Sequence, residues 1–287
     1  MQKRIYKAIF DFFVFSNLLL ASYAAWMSWY SIKSLDIHAN QWFFPAFLFF
    51  AVLSVYNLYW HSASTAGAGN GKRINWLRRY HAVHFPLFIV AGLGTLVFLI
   101  YEPDLLVWVL PAAIITLIYA SPKIPIKRLW FLRRLLWGKT VFLAAAWFYL
   151  TTVLPLMLYE KQWGMDDFVF CLNRLLLIFS ICVLFDMRDT EYDAARGIKS
   201  IPIKLRPQKV KMLFGLCVFI CIITALYFLN KSFRQSISLF VPAIIVGLIV
   251  PKDIKQKSDY FFYFILDGLM ALSPILYLLL GFLSFMS

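Results

Sequence analysis

Asp186, Asp189 and Asp193 stand at i, i+3 and i+7 in the stretch 184–202, Leu-Phe-Asp-Met-Arg-Asp-Thr-Glu-Tyr-Asp-Ala-Ala-Arg-Gly-Ile-Lys-Ser-Ile-Pro. On a helix that spacing carries all three carboxylates on one face. Charges so close repel one another strongly at a low-dielectric membrane edge. A hard divalent cation such as Mg²⁺ would relieve the repulsion and keep positions open for phosphate oxygens. Arg188, Arg196 and Lys199 lie in the same stretch and could hold remaining phosphate charge. Gly197 and Pro202 are expected to stop the helix and turn the chain. The plainer alternative is a solvated, charged helix end. The place of the stretch, at the close of an apolar run, favours a functional reading.

The elements that must position these residues are membrane helices. The 287 residues are 62% hydrophobic, 19% aromatic and 15% charged, with a mean hydropathy of +0.75. A soluble domain of this length has no use for so much apolar surface. A net charge of +14 argues for contact with membrane lipids and not with nucleic acid, because the basic residues fall between apolar runs. A helix crosses a bilayer with roughly 17–25 apolar residues. Nine candidate spans occur, at about 8–30, 42–60, 82–100, 104–120, 136–158, 168–186, 211–229, 236–250 and 260–284. The eighth is short and the fourth begins at a Pro-Asp pair. Connections are too short for a soluble domain, so residues 1–287 read as one transmembrane domain.

The loops alternate in charge. One set holds Lys3, Arg4 and Lys7, then Lys72, Arg73, Arg78 and Arg79, then Lys123, Lys127, Arg128, Arg133 and Arg134, the segment 186–211, and Lys252, Lys255 and Lys257. Of the 28 basic residues, only Lys33, Lys161, Arg174, Lys231 and Arg234 fall on the other side. The positive-inside bias places the N-terminus and the aspartate stretch in the cytoplasm and the C-terminus outside a plasma or inner membrane. No small-residue cleavage site follows the basic start, so the first span is expected to be retained. Cys171, Cys182, Cys217 and Cys221 lie within apolar runs, lack metal-ligand spacing and read as small hydrophobes.

Three cytoplasmic connections are unusually basic or polar: 61–81, 121–134 and 186–211. The first is rich in Gly, Ala and Ser and reads as a mobile loop. The second follows Tyr119-Ala-Ser-Pro-Lys123-Ile-Pro; its prolines break a helix and its lysines could meet phosphate as point charges. Orientation signal and lipid-headgroup contact are the plainer readings of both.

Asp186-x-x-Asp189-x-x-x-Asp193-x-x-x-Gly197-x-x-Ser200-x-Pro202 resembles the second aspartate-rich motif of UbiA-type intramembrane prenyltransferases, and Tyr119-x-x-x-Lys123 is similar to that family's Tyr-x-x-x-Lys element. The resemblance covers essentially the whole chain. It implies an all-α bundle of about nine transmembrane helices around a central cavity open to the cytoplasmic side. It also implies transfer of a polyprenyl group from its diphosphate to a hydrophobic acceptor, aromatic or lipid. Asp186, Asp189 and Asp193 would hold Mg²⁺ and carry the chemistry. Lys123, Tyr119, Arg188, Lys199, Asn57 and His61 would contact the diphosphate. Ionisation of an allylic diphosphate needs its leaving charge neutralised, and the carbocation needs a dry aromatic pocket.

The chain departs from the family at the end of the second span. Where Asn-Asp-x-x-Asp-x-x-x-Asp is expected, it reads Asn57-Leu-Tyr-Trp-His61-Ser-Ala-Ser-Thr65. Three carboxylates that would bind a second metal are gone, and a neutral imidazole is a poor ligand for Mg²⁺. His61 and the basic residues of 61–81 could stand in for that metal. The site could instead bind an isoprenoid lipid or a partner without catalysis. His61, His81 and His84 could form a three-imidazole metal site, although interfacial histidines account for them as well. Asp267, inside the last span, suits either function or a helix-packing hydrogen bond. A small-solute transporter would also fit the spans, but matching Gly/Pro interruptions in two halves are lacking.

Overall fold

The computed structural model describes residues 2–38, 40–63, 71–120, 138–195, 197–249 and 251–286. These residues are all-helical, with 85% helix and no strand. In chain order the helices are α1 (Gln2–Phe15), α2 (Leu18–Ser34), α3 (Phe43–Ala63), α4 (Lys72–Arg79), α5 (His81–Tyr101) and α6 (Leu105–Ala120). Next come α7 (Lys139–Phe148), a π-helical turn (Tyr149–Val153), α8 (Leu154–Leu158), α9 (Met165–Arg188), α10 (Thr190–Ala195) and α11 (Ile201–Lys204). The chain ends with α12 (Pro207–Tyr227), α13 (Phe233–Leu248), a 3₁₀ turn (Pro251–Gln256), a second π-helical turn (Phe261–Leu266) and α14 (Asp267–Met286).

Six described segments are long and apolar enough to cross a bilayer: Phe43–Ser62, His81–Tyr101, Lys139–Leu158, Met165–Arg188, Pro207–Tyr227 and Phe261–Leu283. The bent pair Arg4–Phe15 and Leu18–Ser34 makes a seventh if it counts as one span. α6 and α13 are apolar but only 16 residues each, short for a bilayer. This is an integral membrane protein. Large apolar side chains such as Val90, Val97, Ile100 and Val107 stay exposed on α5 and α6, as expected where the outer solvent is hydrocarbon.

α3 packs on α2 and α5, and α6 on α7. α9 lies against α7, α12, α13 and α14, and α14 returns to α2. Gly94 permits the α3–α5 contact, because a Cβ there would stand 2.6 Å from Cδ1 of Phe50. The first expected span is bent by 56°. Asn17 takes φ +68° at the corner, a conformation that asparagine tolerates better than most residues. The corner is pinned from outside: Ser16 O accepts from Asn57 Nδ2 at 3.1 Å, and Asn17 Oδ1 from Arg73 Nη2 at 2.9 Å.

Prolines inside membrane helices leave carbonyls that another helix must satisfy. Pro274 in α14 removes the donor that would meet Met270 O. Arg174 Nη2 of α9 supplies it at 2.8 Å, while Arg174 Nη1 donates to Ser273 Oγ at 2.8 Å. Pro155 likewise offers no donor to Thr151 O, which accepts from Ser31 Oγ of α2 at 2.8 Å. Arg174, expected near the membrane surface, is thus a fully buried strut between α9 and α14. Pro274→Ala returns a backbone donor to Met270 O, so Arg174→Met should cost less in that background. A coupling of about 0.6–1.7 kcal/mol is expected from a double-mutant cycle of reversible unfolding in detergent; strictly additive costs would refute the strut.

Candidate functional site

The three aspartates do converge, though not from one uninterrupted helix. α9 ends at Arg188, with Asp189 as its C-terminal cap. Thr190 Oγ1 donates to the carbonyls of Asp186 and Met187 at 3.1 and 2.9 Å, which competes with the backbone ladder there. α10 resumes at once, its Asp193 N donating to Asp189 O at 2.8 Å. Gly197, at φ +67°, closes α10. Its N donates to Ala194 O at 3.1 Å and Ile198 N to Asp193 O at 2.9 Å, the Schellman pattern that needs a left-handed residue.

At the focus of the three carboxylates stands Lys139, the first residue of α7. Its Nζ lies 2.8 Å from Asp193 Oδ2, 3.0 Å from Asp186 Oδ1 and 3.7 Å from Asp189 Oδ2. Thr140, the next residue, donates its hydroxyl to Asp186 Oδ2 and accepts from Ile201 N at 3.3 Å. α7, α9, α10 and α11 are therefore tied at one point. The Asp186 and Asp193 side chains are 2% and 1% exposed, against 31% for Asp189, so the cluster opens through Asp189. Burial pushes the Asp193 carboxyl above the usual carboxylate range, and the Lys139 ammonium offsets part of that rise.

Two guanidinium groups flank Tyr263 beside this cluster. Arg188 Nε donates to Asp189 Oδ1 at 2.7 Å, with its Cζ 4.3 Å from the Phe262 ring centre and 5.1 Å from that of Tyr263. Arg73 stacks between Trp60 and Tyr263, at 4.4 and 3.9 Å. Its backbone N donates to Asp259 Oδ2 at 2.9 Å, so α4 is fastened to the start of the last span. The π-helical turn Phe261–Leu266 carries Tyr263 into this position; an extra residue per turn re-aims side chains that a regular helix would place elsewhere. Tyr59 lies within electrostatic reach of Lys139, Arg73 and Asp189, and buried Asp267 within reach of Arg73 and Arg188. Arg73 Nε and Arg188 Nη1 are buried and make no hydrogen bond among the described residues.

The other expected site residues are placed as follows. Asn57 is buried, its Nδ2 donating to Ser16 O and Leu53 O. That leaves Oδ1 to accept from His84 Nδ1 at 2.6 Å, which fixes the His84 tautomer. Asn57 therefore joins α3, α5 and the α1–α2 corner. His61 lies against His81 with ring centres 4.5 Å apart and the rings tilted by 32°, and His81 Nε2 donates to His61 O at 3.1 Å. Lys199 is exposed. Lys123 and Arg196 lie outside the described residues, as do 64–70 and all of 121–134; the rest of 61–81, expected as loop, is largely helical, with the end of α3, the whole of α4 and the start of α5. Tyr119 is in the last turn of α6, its side chain outside the described residues.

Mg²⁺ needs several oxygens at about 2.1 Å in octahedral array. Lys139 Nζ holds the point where those oxygens would converge, and the described residues contain no cluster of three or more His, Cys, Asp or Glu arranged for a metal ion. As placed, the site fits an ammonium and not a divalent cation. Comparison with protein-family models, curated proteins and solved structures finds no match.

Sequence reasoning had not named Lys139 or Tyr263, and had taken Arg73 only together with the other basic residues of 61–81. The signal for Lys139 was a cation inside an expected apolar span, 136–158, whose charge demands a buried partner. Arg73→Lys keeps the charge but loses the planar stack on Trp60 and Tyr263. It should cost about 1–2 kcal/mol of stability in thermal unfolding followed by tryptophan fluorescence; an unchanged transition would show that the stack contributes nothing.

Proposed function

We propose that this protein is a UbiA-like intramembrane prenyltransferase. In this reading a polyprenyl diphosphate places its head at the aspartate end of the bundle and its chain in the apolar interior. The observation that supports it most is the gathering of Arg73, Arg188 and Lys139 around Tyr263 and the aspartate cluster, with guanidinium donors to spare. Guanidinium groups grip phosphate oxygens in pairs and stay charged when buried. The nine-span bundle, the cavity open to the cytoplasm, and the cytoplasmic N-terminus with the C-terminus outside belong to this proposal. So does contact of the diphosphate with Lys123, Tyr119, Lys199 and His61.

The chemistry would run as follows. The allylic C–O bond breaks and its electron pair leaves with the diphosphate, whose charge Arg73 and Arg188 stabilise. The cationic prenyl carbon is shielded by aromatic faces, with Trp60, Phe262 and Tyr263 nearest the cations described. An acceptor nucleophile then bonds to that carbon and loses a proton, for which Asp189, the most open carboxylate of the cluster, is a base within reach. A second reading, binding of an isoprenoid lipid without transfer, is favoured by one observation: each of the three carboxylates already has a cation beside it, Lys139 or Arg188, leaving less charge for a metal to neutralise.

Purified protein and a panel of radiolabelled prenyl diphosphates separate these readings. Arg188→Gln should weaken binding by about 10- to 100-fold, the range for one charge-assisted hydrogen bond. Asp189→Ala should lower transfer to aromatic or lipid acceptors at least about tenfold. Binding without transfer to any acceptor would favour the second reading, and no binding at all would overturn both.

A further inference from the structure

We infer that Lys139 is a built-in counter-ion: its ammonium takes the place of a divalent cation among Asp186, Asp189 and Asp193 and keeps such cations out. The inference stands on the described contacts alone and needs neither reading of the function. Nζ lies within 3.0 Å of Asp186 Oδ1 and Asp193 Oδ2 and 3.7 Å from Asp189 Oδ2. A dication ligated by the same oxygens would have to sit almost on top of the ammonium, where like charges at so short a distance exclude each other.

The second oxygen of Asp186 and both oxygens of Asp189 are held as well. Thr140 donates to Asp186 Oδ2, and Arg188 takes Asp189 Oδ1 at 2.7 Å and Oδ2 at 3.4 Å. A metal would therefore have to displace a tethered lysine, a hydroxyl and a guanidinium together. The lysine's position strengthens the argument. Lys139 opens α7, where the helix dipole disfavours a cation, and its side chain is only 9% exposed. A buried ammonium there is tolerable only while the carboxylates compensate it, so the cluster and Lys139 depend on each other. Ligand binding at this end of the bundle should accordingly be independent of divalent cations.

Manganese serves as the probe, read by electron paramagnetic resonance on detergent-purified protein without substrate. Wild type should show no saturable Mn²⁺ binding up to about 1 mM, within the range of weak carboxylate sites. Lys139→Met should bind Mn²⁺ at least about 100-fold more tightly, and Mg²⁺ should raise its thermal transition while leaving wild type unmoved. Lys139→Gln serves where the methionine variant does not fold without metal. Saturable Mn²⁺ binding to wild type that disappears in Asp193→Asn would overturn the inference. So would a folded Lys139 variant that still binds no Mn²⁺.

Discussion

A charge buried at the edge of a bilayer must find its opposite within the protein, and the Lys139–aspartate cluster answers that demand. Two carboxylates and an ammonium are almost wholly withdrawn from solvent. Neither sign would be tolerable alone, since an uncompensated buried charge costs several kcal/mol. The pairing therefore sets the register of α7 against α9, places α10 after the break at Asp189, and through Thr140 and Ile201 seats α11. Arg73 repeats the principle across the site: α4 is short and polar, and it is held by a guanidinium stacked between two aromatic rings and by Asp259. Positions of elements with little apolar surface of their own follow from where these charges can be satisfied.

The same accounting governs the apolar part of the bundle, with backbone carbonyls in place of carboxylates. Helices in hydrocarbon have no water to repair a broken ladder. The prolines of α8 and α14 are accordingly met by Ser31 and Arg174 from other helices. The bend at Asn17 is met by Asn57 and Arg73. These repairs are specific contacts between named helices, and hydrophobic packing, which lipid can imitate, supplies no such specificity.

This division explains what was legible in the sequence. The expected spans fall on helices, because long apolar runs have few other stable states in hydrocarbon, but of the nine only six, or seven with the bent pair, are long and apolar enough among the described residues to cross a bilayer. The two that looked irregular, the fourth and the eighth, are the two short ones, α6 and α13. Gly197 stops its helix as its type suggests. The i, i+3, i+7 aspartates do share a face, since the break at Asp189 barely alters the progress of the chain. The partners were hidden for a physical reason: Lys139 and Asp193 are 54 residues apart, Arg73 and Asp259 186, and no local periodicity encodes such a meeting. Asn57 could be singled out by type, but its bonds to Ser16, Leu53 and His84 depend on a helix corner that hydropathy reads as a continuous span.

The missing carboxylates at the end of α3 and the ammonium of Lys139 have one electrostatic sense in the proposed reading. The end of α3 carries no carboxylates where the resemblance expects three, and the region facing it holds Arg73 between aromatic rings. The aspartates of α9 and α10 are present and hold the ammonium of Lys139. Fewer anions on one side and a fixed cation on the other shift the balance of charge in the same direction. Mobile divalent ions make a strongly acidic pocket attractive to a diphosphate only while they are bound. Cations held by the chain neutralise the carboxylates at every ion concentration, and the donors left on Arg73 and Arg188 can then receive an anionic headgroup directly. A fixed ammonium is a weaker Lewis acid than a metal, so such a site trades power to ionise a leaving group for permanent readiness to bind one. In the proposed reading, that trade sets the balance between transfer and simple binding.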